Sequence, residues 1–270
     1  MRRVYAVASG KGGVGKTTTV ANLGVVLAAG GHETVVVDAD LGMGNLAGVL
    51  GIDADAGPTV HDVLSGSAGV ADAVREGPVG LSVVPASDDI DDFAAADPAN
   101  LSVLLNGIDA EIILVDTSAG LSHDSVEPLR VADEVLLVST PTRGSLGDTA
   151  KTREVAGRFE TTVTGAVLTR TTPETDSTAA EAHLDVPIRA TIPDDPAVSA
   201  AEAGEPLVIA AADAPATDAY RRLGADLTGD DSLVPDDGEG GAEADPGAAG
   251  PGASGADDEG RTGFLRWLLR

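Results

Sequence analysis

Gly10-Lys11-Gly12-Gly13-Val14-Gly15-Lys16-Thr17 decides the reading of this chain. Gly10, Gly15, Lys16 and Thr17 satisfy the phosphate-loop pattern G-x-x-x-x-G-K-[ST]. Before the loop, Val4 to Ala8 is a short apolar run suited to a buried parallel strand. After it, Thr17 to Ala29 has helical spacing. A Gly-rich turn between strand and helix aims backbone N–H groups at a polyphosphate, and the helix N-terminus adds its dipole. Gly12, Gly13 and Gly15 allow a close approach that a Cβ would obstruct. Lys16 places a point charge between the β- and γ-phosphates, and the Thr17 hydroxyl suits Mg²⁺. Val14 and Thr18 complete the candidate nucleotide-binding stretch.

Further along, apolar runs alternate with helical stretches to about Thr228. Val35-Val36-Val37 ends at Asp38, Leu81 to Val84 at Pro85, Ile112 to Val115 at Asp116, and Val135 to Val138 at Ser139. Val163 to Thr169 and Val186 to Ile192 follow. Near-continuous apolar strands separated by helices predict an α/β fold, a mostly parallel sheet with helices on both faces. Ligands in such folds sit beyond the carboxyl ends of the strands. Asp38, Asp116 and the phosphate loop are expected to gather there. Asp116, ending its strand, has the position that holds Mg²⁺ in phosphate-loop proteins. Asp38 and Asp40, at i and i+2, can both face one metal–phosphate site if the chain turns between them.

Composition excludes much else. The chain has 270 residues, no cysteine and a formal charge of −27. Without cysteine there are no disulfides, thiolate nucleophiles or Cys-ligated iron–sulfur clusters. His32, His61, His123 and His183 form no ligand pattern and are expected at surfaces or turns. Lys11, Lys16 and Lys151 are the only lysines, and two of them stand in the phosphate loop. So acidic a surface suits concentrated salt and suggests a halophilic source, the alternative being a merely acidic mesophilic protein. It also argues against direct nucleic-acid binding, which wants a basic face. No signal peptide or spanning segment is evident, so a cytoplasmic protein is expected.

Lys11 narrows the family. With Gly12, Gly13, Lys16 and Thr17 it resembles the deviant Walker A motif, KGGxxK[ST], of the ParA/MinD superfamily of ATPases. Asp38, Asp40, Gly42 and Asn45 resemble the switch I segment DxDxGxxN of MinD-type members. Thr117 to Gly120 resembles switch II, with Ser118 where family members often carry proline. Ile192-Pro193-Asp194-Asp195 and Gly204-Glu205-Pro206 resemble the IPxD and GxP segments near the base. The resemblance covers about residues 2 to 228. It implies ATP and Mg²⁺ as ligands and an ATP-closed homodimer. Lys11 would reach the partner's phosphates or simply add charge to its own site. Asp40 would orient the attacking water, Asp38 would act through the magnesium shell, and the Gly120 amide would sense the γ-phosphate. Asn45 would belong to the nucleotide site. Pro193, Asp194 and Arg170, the last in place of the family's asparagine, would flank the base.

The C-terminal sequence has a different texture. Residues 229–260 hold ten acids, no basic residue and mostly Gly, Ala and Pro, which predicts a disordered acidic linker. Residues 261–270 place Phe264, Leu265, Trp267, Leu268 and Leu269 on one helical face and Thr262, Arg266 and Arg270 on the other. This resembles the membrane-targeting helix of MinD proteins; packing on a protein groove is the alternative. The combined expectation is a MinD-like ATPase that is cytoplasmic and reversibly bound to the inner face of the membrane. It would position the division site or another assembly, with an activating protein partner. The rival readings are a ParA-type DNA-segregation ATPase and a nucleotide-dependent adaptor with negligible turnover.

Overall fold

Tyr5 and Val7 pack on one face of a sheet and Val4, Ala6 and Ala8 on the other, and all five are buried. Only a sheet covered on both sides accommodates such a strand. The computed structural model describes residues 2–121, 123–201 and 204–234. Its eight strands are β1 (Arg3–Ala8), β2 (Thr34–Ala39), β3 (Arg75–Glu76), β4 (Ser82–Val84), β5 (Ile112–Thr117), β6 (Glu134–Ser139), β7 (Thr162–Thr171) and β8 (Ile188–Pro193). They form one sheet in the order β3-β4-β2-β5-β1-β6-β7-β8. Every pairing is parallel except β3 with β4. That two-residue edge strand carries no periodicity and was not expected from the sequence.

The helices Lys16–Ala29 and Pro215–Thr228 cover the face bearing Tyr5 and Val7. On the opposite face, Val60–Ser65 and Leu101–Gly107 lie under β2 and β5. Arg143–Arg158 and Ser177–Leu184 lie there under β6 and β7. β1 stands between β5 and β6, so the connections after β1 and after β5 run to opposite sides of it. A crevice opens at the carboxyl ends of the strands at such a reversal.

The ordered domain outlasts its expected end at Thr228. Leu233 is fully buried, in a notch that Gly30 and Gly224 leave open. A Cβ on Gly30 would stand 2.2 Å from Leu233 Cδ2. His32 lies between Glu111 and Asp230, 3.2 Å from each carboxylate, and holds the same segment. Leu233→Ala is therefore expected to lower stability by about 2–5 kcal/mol. A chain ending at Thr228 should lose at least as much relative to one ending at Val234, as read by urea unfolding. The residues from Pro235 on lie outside those described. Among them are most of the expected linker and the proposed membrane residues Phe264, Leu265, Arg266, Trp267, Leu268 and Leu269.

Candidate functional site

The loop after β1 turns into the helix Lys16–Ala29 through Gly15, whose φ of 89° favours glycine. Gly10 is required for a different reason. A Cβ there would lie 2.1 Å from the Asp148 carbonyl carbon, so the loop rests directly on the backbone of the helix Arg143–Arg158. Thr169 at the end of β7 donates its hydroxyl to the Val14 carbonyl (2.7 Å), and Thr19 donates to that of Gly15 (2.8 Å). The loop is thus held on several sides before any ligand arrives. Lys16 is buried at 7% exposure, whereas Lys11 is exposed.

The expected carboxylates meet the loop. β2 and β5 pair with Asp38 opposite Asp116, and β1 sets Val7 beside Asp116. Both aspartates are 1% exposed. Asp38 accepts from the backbone N–H of Asp40 (3.2 Å) and Leu46 (3.0 Å). Asp40 in turn accepts from Met43 N–H (3.2 Å). These bonds fold residues 38–46 into the turn that i, i+2 carboxylates needed. By hydrogen-bond geometry neither oxygen of Asp116 has a partner among the described residues, nor does the buried Ser118 hydroxyl. Buried polar groups are almost always paired, so such groups mark a place where a ligand supplies the partner.

Electrostatics agree. Burial pushes the Asp116 carboxyl up to about 6, against the pull of the Lys16 charge and the nearby Thr17 side chain. Burial and the neighbouring Asp116 charge raise Asp38 well above the ordinary carboxylate range. A divalent cation relieves both. The set of Thr17, Asp38 and Asp116 is an all-oxygen donor group of the kind Mg²⁺ takes.

A cleft of about 370 Å³ adjoins the loop, lined by Val14, Thr18, Thr169, Arg170, Pro193 and Asp194 among others. Arg170, Pro193 and Asp194 thus come together as expected, although Asn45 is an exposed N-cap of the helix Leu46–Leu50 and does not line this cleft. Arg170 holds a left-handed φ of 52°, an uncommon conformation for a side chain of its size. Sequence reading missed Tyr220 and Val198 in the same wall. Burial pushes the Tyr220 phenol up to about 12, so it stays neutral there. Gly120 is close to the loop, but its N–H donates to the Ser9 carbonyl (3.3 Å) and so is engaged within the protein. His61, expected at a surface or turn, is instead buried beside the Asp40 loop.

A phosphate loop on a parallel sheet, two carboxylates at adjacent strand ends and a cleft beside the loop define a phosphate-loop nucleotide-binding protein. Residues 5–208 match the family described as the CobQ/CobB/MinD/ParA nucleotide binding domain, and the chain belongs to that family. An uncharacterized ATP-binding protein of Methanocaldococcus jannaschii is 38% identical over 235 residues, covering 85% of this chain and 89% of its own. The septum site-determining protein MinD of Pyrococcus horikoshii, solved with Mg-ADP, superposes with a TM-score of 0.81 at 33% identity, covering 84% of this chain and 96% of its own. The cell division ATPase MinD of Pyrococcus furiosus gives 0.80 at 35% identity, covering 84% and 98%.

Proposed function

We propose that this chain is a MinD-like ATPase that closes as a homodimer around ATP and Mg²⁺ and attaches reversibly to membrane through its C-terminal segment. The observation that carries the reading is the buried, unpartnered Asp116 facing Lys16 and Thr17 at the end of β5. Lys16 binds the phosphates, the loop amides orient them, and Asp40 holds the attacking water. Mg²⁺, when bound, neutralises charge on the phosphates. Lys11 is exposed and opens on a second cleft of about 330 Å³ with Thr140, Thr142 and Arg170, which supports a reach outward to a partner subunit. Relatives named for septum-site determination and cell division support spatial positioning as the output.

No helix among the described residues is long and apolar enough to cross a membrane; the attachment we propose lies in the terminal segment. Its five apolar side chains at roughly 1.5 kcal/mol each supply several kcal/mol before ordering costs. One such anchor binds reversibly and two hold, so closing the dimer on ATP makes residence depend on nucleotide. In concentrated salt, charges are screened within about 3 Å at 1 M, and the apolar face carries the binding.

Liposome co-sedimentation in high salt tests this, with ATP or ADP, on the full chain and on a chain ending at Gly260. Pelleting with ATP that is lost on truncation is the expected result. Absence of pelleting in every state overturns the membrane role, while phosphate release measured in the same samples decides the ATPase role separately.

A further inference from the structure

His61 is 1% exposed, and both of its ring nitrogens are engaged. Nε2 lies 2.9 Å from the Leu41 carbonyl oxygen, which can only accept. Nδ1 lies 3.0 Å from the Ser87 backbone N–H, which can only donate. The partners therefore fix the tautomer: a neutral imidazole with its proton on Nε2. Leu41 follows Asp40 in the chain, and Ser87 lies in the loop after β4.

Beyond the ladder pairing of Ala39 with Thr117 and the bond from Val49 N–H to the Asn45 carbonyl, the Asp40 loop is stitched by its own aspartates. Its turn bonds run from Asp40 and Leu46 N–H to Asp38, and from Met43 N–H to Asp40. Among the described residues, His61 is the one side chain from outside residues 38–46 that hydrogen-bonds the backbone of residues 39–45. The loop also passes close to the residue before Ser87, since a Cβ on Gly44 would stand 2.6 Å from Ala86 Cβ. His61 ties these two neighbouring segments together. Its own helix is fixed by a capping box of Thr59 and Asp62 and by the Val60 N–H bond to the Pro85 carbonyl (2.8 Å).

The geometry points to His61 as a positioning residue for ATP hydrolysis: by holding the Leu41 carbonyl it fixes where Asp40 sits beside Asp38. This rests on the ATPase reading above. A small displacement of a group that orients the nucleophile costs far more in turnover than in substrate binding.

Two variants separate the two bonds. In His61→Gln the amide nitrogen stands as many bonds from Cα as Nε2 and keeps the bond to Leu41. In His61→Asn the amide oxygen replaces Nδ1 and keeps the bond to Ser87, while Leu41 is released. Steady-state hydrolysis with Mg–ATP, nucleotide affinity and amide exchange of residues 39–45 are measured on the full chain, below the melting point of each variant. His61→Asn is expected to lose about 10-fold or more in kcat with affinity within about twofold of wild type, and its loop amides exchange faster. His61→Gln is expected to stay within about threefold of wild type in both. Equal kcat in all three proteins overturns the proposal, as does an equal fall in both variants, which marks a purely structural histidine. Should wild type itself not turn over, the ATPase reading fails, and exchange in the Mg–ATP complex decides alone. Faster exchange in His61→Asn only sustains the clamp, and equal exchange overturns it.

Discussion

Lys16→Ala is expected to lower the affinity for Mg–ATP by at least about 100-fold, an effect near 3 kcal/mol. Lys16 is buried at the head of its helix, at 7% exposure, so the phosphates it meets are partly shielded from water. Charge-assisted bonds in such a place are worth about twice a neutral one, and the bound anion would be left with an unmet charge. The loop itself should survive, because the Thr169 and Thr19 bonds to its carbonyls do not involve Lys16. Lys11→Ala provides the contrast. Lys11 is exposed and turned toward the second cleft. Its loss should leave nucleotide affinity within a few-fold while removing ATP-dependent dimer formation. Titration with a fluorescent nucleotide, followed by light scattering of the ATP complexes, measures both. Comparable loss of affinity in the two variants would show that both lysines serve one protomer's own phosphates.

The site was most legible where its chemistry is local. Gly10 to Thr17 lie within one turn, so their spacing alone fixes a cradle. Apolar runs that end in aspartate located Asp38 and Asp116 on β2 and β5, and register pairs them directly. What escaped was set by distant packing. His61 reads as any polar residue early in a short helix, and only the approach of Leu41 and Ser87 from two other segments buries it. Tyr220 reaches the cleft from a helix about 200 residues after the phosphate loop, and no pattern near the loop announces it. Leu233 sits in an acidic, Gly-rich stretch whose composition predicts disorder, yet it finds a notch made by Gly30 at the end of one helix and Gly224 inside another. The Gly120 amide was assigned from the family's pattern, whereas the bond it makes to Ser9 depends on the loop path.

Asp116→Asn should act in opposite directions on the free and the bound protein. In the free protein the carboxyl is raised from its ordinary value of 3.8 to about 6, chiefly by burial. A raised acid in the folded state binds its proton more tightly than in the unfolded chain. Its contribution to stability is therefore complete below about pH 4 and is lost as pH rises to about 6 and beyond. At neutral pH the ionised group costs about 3 kcal/mol, from the difference between those two values. Asparagine keeps the shape without the charge. The variant should match wild type near pH 4 and exceed it by about 2–3 kcal/mol above pH 7, read by urea unfolding without nucleotide in the presence of a chelator. Addition of Mg–ATP should reverse the order. Wild type gains RT ln(1 + [L]/Kd), about 2.7 kcal/mol at a hundredfold excess over Kd, and the variant gains little because its metal ligand is gone. A stability difference that does not change with pH would mean that Asp116 meets no cost of burial. A variant stabilised by Mg–ATP as fully as wild type would remove Asp116 from the metal site and leave Thr17 and Asp38 to hold the ion.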